Sequence, residues 1–74
     1  MDKNRSKRLA ARALIVKSAR DKLGMSRMQL ASAAELHLGT IRNVEAGLRE
    51  PTTDSLRKIA KALGIPVARL LEGA

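Results

Sequence analysis

Apolar positions recur along the chain in blocks of helical period, and glycines or small hydroxyl residues punctuate the blocks. Leu9, Ala13, Val16, Arg20 and Leu23 follow one stripe at i, i+4, i+7 spacing within an Ala- and Leu-rich stretch, which predicts a first helix. Gly24 supplies the left-handed residue expected just past its end, near Leu23. Ser26 opens a second helix, and Gln29 three residues later completes a capping box. Its inward positions are Leu30, Ala31 and Ala34. After Glu35, Leu36 and His37 a third helix runs from about Leu38 to Glu45, with Ile41, Val44 and Glu45 on one face. Gly47 closes that helix, and Leu48 is placed to fold an apolar contact back onto it. Pro51 marks a loop. Thr52 or Thr53 then caps a fourth helix whose face is Leu56, Ile59, Ala60 and Leu63, ended by Gly64. Ile65 and Pro66 open a short fifth helix that buries Leu70 and Leu71. No stretch alternates with period two and no segment repeats, so the expected fold class is all-α, a single compact domain of five helices.

Ahead of Leu9 the pattern stops. The run MDKNRSKR sets Lys3, Arg5, Lys7 and Arg8 against Asp2 alone and offers only Met1 for burial. Residues 1–8 therefore read as a flexible basic arm, and residues 9–74 as the folded domain.

Composition narrows what such a domain does. With 15 Lys and Arg against 7 Asp and Glu, the net charge is +8 on 74 residues, which favours a polyanionic partner, duplex nucleic acid first. The absence of Cys removes disulfides, thiolate metal ligands and thiol nucleophiles, and a single His makes no metal cluster. No metal or cofactor is expected. Without Phe, Trp or Tyr there are no stacking platforms for single strands. No apolar run reaches the roughly 18 residues of a membrane span, and no signal-peptide core follows the basic start, so a cytoplasmic, nucleoid-associated protein is expected. The seven carboxylates and one His are scattered with no nucleophile constellation, which argues against an enzyme.

The informative stretch is Arg27 to Ala46. A tight helix–turn–helix needs a small residue where its helices cross, and Ala31 is one. It needs an apolar anchor under the turn, where Leu36 stands, and apolar residues such as Ile41 and Val44 to hold the second helix against the first. The outer face of that second helix is then free to enter a major groove.

The run GMSRMQLASAAELHLGTIRNVEAGLREPTTDSLRKIAKALGIPVARLLEG resembles the Cro/phage-repressor type of helix-turn-helix domain (the xenobiotic-response-element family) over roughly Val16 to Gly73. Arg20, Gly24, Ser26, Leu30, Ala31, Ile41, Glu45, Gly47, Pro51, Leu56, Ile59, Ala60 and Leu63 fall at family-pattern positions. The resemblance implies a lambda-repressor-like fold and a structural ion pair between Arg20 and Glu45, which their placement on otherwise apolar faces supports independently. It also implies that His37, Leu38, Gly39, Arg42 and Asn43 face base edges, while Ser26, Arg27 and Thr40 lie against phosphates. Asn43 has the chemistry to pair with adenine and Arg42 with guanine. Arg27 adds charge to the open N–H donors of a helix start. Arg5, Lys7 and Arg8 are further candidates for phosphate contact.

Three positions depart from the family pattern, which often has Gln at Arg27, Gly at Glu35 and Ser at His37. Glu35 in a turn requiring positive φ costs on the order of 1 kcal/mol. Gly39 either lets the helix backbone approach the groove or is a tolerated weakness on an exposed face, and His37 is either a base reader or a cap and surface residue. The function implied is a sequence-specific double-stranded DNA-binding regulator, most simply a repressor, acting as a homodimer on a palindromic operator. Leu48, Val67, Leu70 and Leu71 are the candidates for dimer contact, with core packing the alternative for each. The alternative is a protein-interaction module, such as an antitoxin or coactivator-type partner, for which adjacent Leu14 and Ile15 are the one hint of a non-core apolar patch.

Overall fold

The computed structural model describes residues 3–72. Five helices follow one another: α1 Lys3–Lys22, α2 Arg27–Ala34, α3 Leu38–Ala46, α4 Thr53–Leu63 and α5 Val67–Glu72. Among the described residues there is no strand, so the all-α expectation stands. The body measures 33 × 22 × 20 Å. α1 is the spine, packed along α3 and α5 and touching α4, while α2 is held between α3 and α4.

The core is aliphatic throughout. Val16 of α1 meets Leu30, Ala31 and Ala34 of α2, Ile41 and Val44 of α3, Leu56, Ile59, Ala60 and Leu63 of α4, and Leu70 of α5. These are the inward positions that the helical period marks. Two of the expected inward residues lie outside it. Leu23 is 54% exposed, because it sits where α1 turns over toward Gly24 rather than in a full helical turn. Leu71 is exposed while Leu70 is fully buried, since consecutive residues on a helix point about 100° apart and six residues bury only one narrow edge.

The basic run ahead of Leu9 also differs from expectation. Lys3 to Arg8 form the first turns of α1 with exposed side chains. Once the packed stretch from Leu9 to Arg20 has nucleated the helix, adding Lys, Arg, Ser and Asn at its end costs little. Met1 and Asp2 of that run lie outside the described residues, as do Gly73 and Ala74.

α1 through α4 all end by one device. A residue with φ near +60° follows the helix, and paired N–H groups return to the carbonyls five and three residues back. Glycine does this at three ends. At the end of α2 it is Glu35, at φ 57° and ψ 42°, with the Leu36 N–H bonded to the Ala31 carbonyl at 2.9 Å. Gly47 is also the one of these three glycines that lies against another helix: a Cβ there would stand 3.4 Å from the Leu9 carbonyl oxygen, at contact distance. That close approach seats the end of α3 against α1.

Candidate nucleic-acid interface

The helix pair α2–α3 is assembled from its caps inward. Ser26 precedes α2 in extended conformation; its Oγ accepts the Gln29 N–H at 3.0 Å, and Gln29 Oε1 accepts the Ser26 N–H at 2.7 Å. The capping box is complete as the sequence anticipates. It also commits the Ser26 backbone N–H and hydroxyl oxygen within the protein, leaving the first N–H groups of α2, those of Arg27 and Met28, at the helix's positive end. Glu35 reverses the chain, Leu36 tucks against the core, and His37 begins α3. The His37 side chain makes no capping hydrogen bond and is exposed.

α3 turns Ile41 and Val44 into the core and leaves Gly39, Arg42 and Ala46 as an exposed ridge. Two clefts flank it. Leu38 and Arg42 share one with Ser26, Arg27 and Met28 at the start of α2. Thr40 and Asn43 line the other, with Arg49 and Thr52 of the α3–α4 connection. The expected base-facing and phosphate-facing residues of α2 and α3 are thus brought to one surface, but on two sides of a ridge. Arg5, Lys7 and Arg8 line neither cleft: the start of α1 departs from the far end of α3, where Leu9 abuts Gly47.

The ridge is held from beneath by Glu45. Arg20 Nε donates to its Oε2 at 2.7 Å and Arg20 Nη2 to its Oε1 at 3.0 Å, a two-pronged pair whose side chains are only 11% and 2% exposed. Arg20 Nη1 also donates to the Met25 carbonyl at 2.8 Å, which ties in the α1–α2 turn. Burial by itself would push the Glu45 carboxyl up. The hydrogen bonds from Arg20 and then Arg27, with their charges, outweigh it and hold the carboxyl below its ordinary range. For Arg20 the hydrogen bond to Glu45 raises an already high pKa further.

A protein-family model described as helix-turn-helix matches residues 16–70, most of the chain. The chain belongs to this family. The match begins at Val16, so the helix-turn-helix unit takes in the second half of α1, all of α2 to α4 and most of α5, and the first half of α1 lies outside it. One relative is the control protein C.BamHI of Bacillus amyloliquefaciens, 39% identical over 51 residues, which cover 69% of this chain and 63% of that protein. The chain thus spans less than two thirds of the length of the curated relative it matches. The family is one of DNA-binding regulators rather than enzymes.

Two features of this helix-turn-helix domain are not found by sequence reading alone. Arg27, expected only at phosphate, also donates from Nε to Glu45 Oε1 at 3.2 Å while half its side chain stays open to solvent. Arg12 is buried to 2% exposure, donating from Nε to the Leu70 carbonyl at 2.6 Å and from Nη1 to Glu50 at 3.0 Å. Leu70 is expected both as a buried residue of the fifth helix and as a candidate dimer contact. It is core, because α5 turns that edge onto α1 and α4, so it is withdrawn from any interface. Leu48 and Leu71 are exposed, and Val67 is half-buried against the core. No group of His and acidic residues that could hold a metal occurs among the described residues, and no described helix is long and apolar enough to cross a membrane.

Proposed function

We propose that the chain is a sequence-specific regulator of transcription that inserts α3 into the major groove of duplex DNA. One observation carries this reading: the solvent-facing ridge of α3, with Arg42 exposed and Asn43 beside it, is flanked by the cationic start of α2 in a protein of this family. Arg42 and Asn43 are the base readers, with His37 next to them; Leu38 offers only an apolar touch to a thymine methyl, and Gly39 lets the backbone approach. Arg27 and Thr40 take phosphates, Arg27 held on Glu45 as it does so. Ser26 acts through the helix start it caps, and Arg5, Lys7 and Arg8 add phosphate contacts beyond the far end of α3.

So few base-reading groups bind weakly alone, and the reading includes a homodimer on a palindromic operator, acting in the nucleoid as a repressor. Half-sites lie about 34–36 Å apart on DNA. Two copies of a body 33 × 22 × 20 Å, set side by side, span that separation. Leu48, Leu71 and the edge of Val67 are the surface offered for this contact.

Selection from random duplex DNA, repeated across salt concentrations, tests the proposal. The expected product is an inverted repeat bound with a steep salt dependence. Asn43→Ala is expected to relax preference at one base position by about 1–3 kcal/mol, and Arg27→Ala to weaken all sequences alike. Equal binding to every sequence would refute the regulator reading. Uniform loss with Asn43→Ala would refute the placement of α3.

A further inference from the structure

Away from both clefts of α3, the second half of α1 and the α4–α5 junction enclose an open groove. Its floor is Leu14, Ile15 and Ala19 of α1 and Leu23 just past its end, with Leu63 and Ile65 from the other wall. Leu14 is 68% exposed and Leu23 54%, so two of the large apolar side chains of a small protein stand in water at this groove. The polar residues around the floor are Ser18, Lys22 and Arg69, and among the described residues no carboxylate lines it. The same face of α1 continues toward its start with Arg8, one heptad before Ile15 and two before Lys22. An apolar strip is therefore set between cations.

We propose that this groove is a docking site for an acidic amphipathic helix of a partner protein. Charge complementarity selects this occupant. A second copy of the chain laid on the groove by a two-fold axis brings Lys22 and Arg69 against cationic surface again, with no carboxylate among the groove's described residues to meet them. Duplex DNA matches the cations but leaves Leu14 and Leu23 without a partner. A helix carrying Leu or Ile on one edge and Glu or Asp on its flanks satisfies both. From Leu14 to Leu23 the floor runs about 14 Å along α1, which suits an occupant of about three turns. The groove shares no lining residue with the clefts flanking α3, so an occupied groove leaves that surface free. The site stands independently of the DNA-binding proposal.

The test uses the full chain, ¹⁵N-labelled, titrated with two synthetic helical peptides of about 18 residues that share a Leu/Ile edge and differ only in Glu or Lys flanks. The glutamate peptide is expected to shift the amides of Ile15, Ser18, Leu23 and Ile65 saturably, with the lysine peptide at least about tenfold weaker. Leu14→Glu, at an exposed helical position, is expected to weaken the glutamate peptide by about tenfold or more while the melting temperature holds. Arg69→Glu is expected to narrow the difference between the peptides. Equal affinity for both peptides, shifts confined to α3, or an unaffected Leu14→Glu protein would overturn the proposal. Self-association in sedimentation that Leu14→Glu abolishes would overturn it in favour of a second copy, and shifts in the groove by duplex DNA alone would overturn it in favour of nucleic acid.

Discussion

Replacing Glu45 by glutamine removes one charge at nearly constant shape, and its cost follows from what remains. Arg20 keeps the Met25 carbonyl at 2.8 Å and a longer contact to Asp21 at 3.5 Å, but loses the buried carboxylate that faced it through two hydrogen bonds. Breaking a buried pair from one side costs about 3–5 kcal/mol. The retained amide oxygen and the Met25 carbonyl argue for the lower end. A chain of this length is stable by roughly 4–11 kcal/mol, and each kcal/mol moves the melting temperature by about 4–8 °C. Glu45→Gln should therefore melt at least about 12 °C lower. Glu45→Ala, which adds a cavity beneath α3, should be severely destabilised or unfolded at ambient temperature.

Thermal melts followed by circular dichroism across pH make the test sharper. The Glu45 pKa is lowered on folding, so its contribution is fully present above the ordinary glutamate range and is lost as pH falls through the folded value. The gap between wild type and Glu45→Gln should be constant near neutrality and shrink as pH drops below about 4. An Arg20→Met, Glu45→Leu double variant, which removes both charges together, should recover most of the loss. An unchanged melting temperature for Glu45→Gln, or a gap that widens in acid, would refute the assignment of this pair as the support of α3.

Glu35→Gly should raise stability by about 0.5–1 kcal/mol, read as a higher melting temperature, because the left-handed position strains a side chain; a lower melting temperature would count against it. Arg12→Met keeps the buried stem but leaves the Leu70 carbonyl without its 2.6 Å donor, and should cost about 1–3 kcal/mol. Hydrogen exchange should then rise first in α5; uniform change across the protein would show that Arg12 does not anchor that helix. Ser26→Ala should cost about 1 kcal/mol and speed exchange at the Gln29 amide ahead of the rest of α2.

What could be read from the chain divides along physical lines. Local signals carried through: Ser26 with Gln29, Gly47 and Thr52 each cap the helix their chemistry calls for, and the 3.6-residue period picks out the core of α2, α3 and α4. The Arg20–Glu45 pair was legible because both charges interrupt apolar faces. Arg12 lies on such a face too, between Leu9 and Val16, but its partners are the Leu70 carbonyl and Glu50, far away in sequence. A backbone acceptor leaves no mark in a sequence. The helical start of α1 was hidden for the opposite reason: Lys3 to Arg8 bury nothing, and a run without apolar positions looks alike whether it coils or continues a helix. Which of Leu70 and Leu71 faces inward depends on how α5 is rolled, and a six-residue helix has too few apolar positions to declare its own phase.

The two buried arginines explain how so small a core, without one aromatic ring, still sets the angle of α3. Small aliphatic side chains such as Ala31, Ala34 and Ala60 let helices approach closely. Arg20 and Arg12 are long, carry apolar stems into that core, and end in donors that demand partners at fixed places. From α1 alone, Arg20 grips α3 and the α1–α2 turn, while Arg12 grips the α3–α4 connection and α5. Rotating α3 about its axis by one residue would carry Glu45 out of reach of Arg20, leave buried charge unpaired, and turn Ile41 and Val44 out of the core in favour of polar neighbours. Packing supplies the affinity of the helices for one another. The register of the exposed ridge is set by Ile41 and Val44 in the core together with Glu45 on Arg20, and that register determines whether Arg42 and Asn43 face a groove.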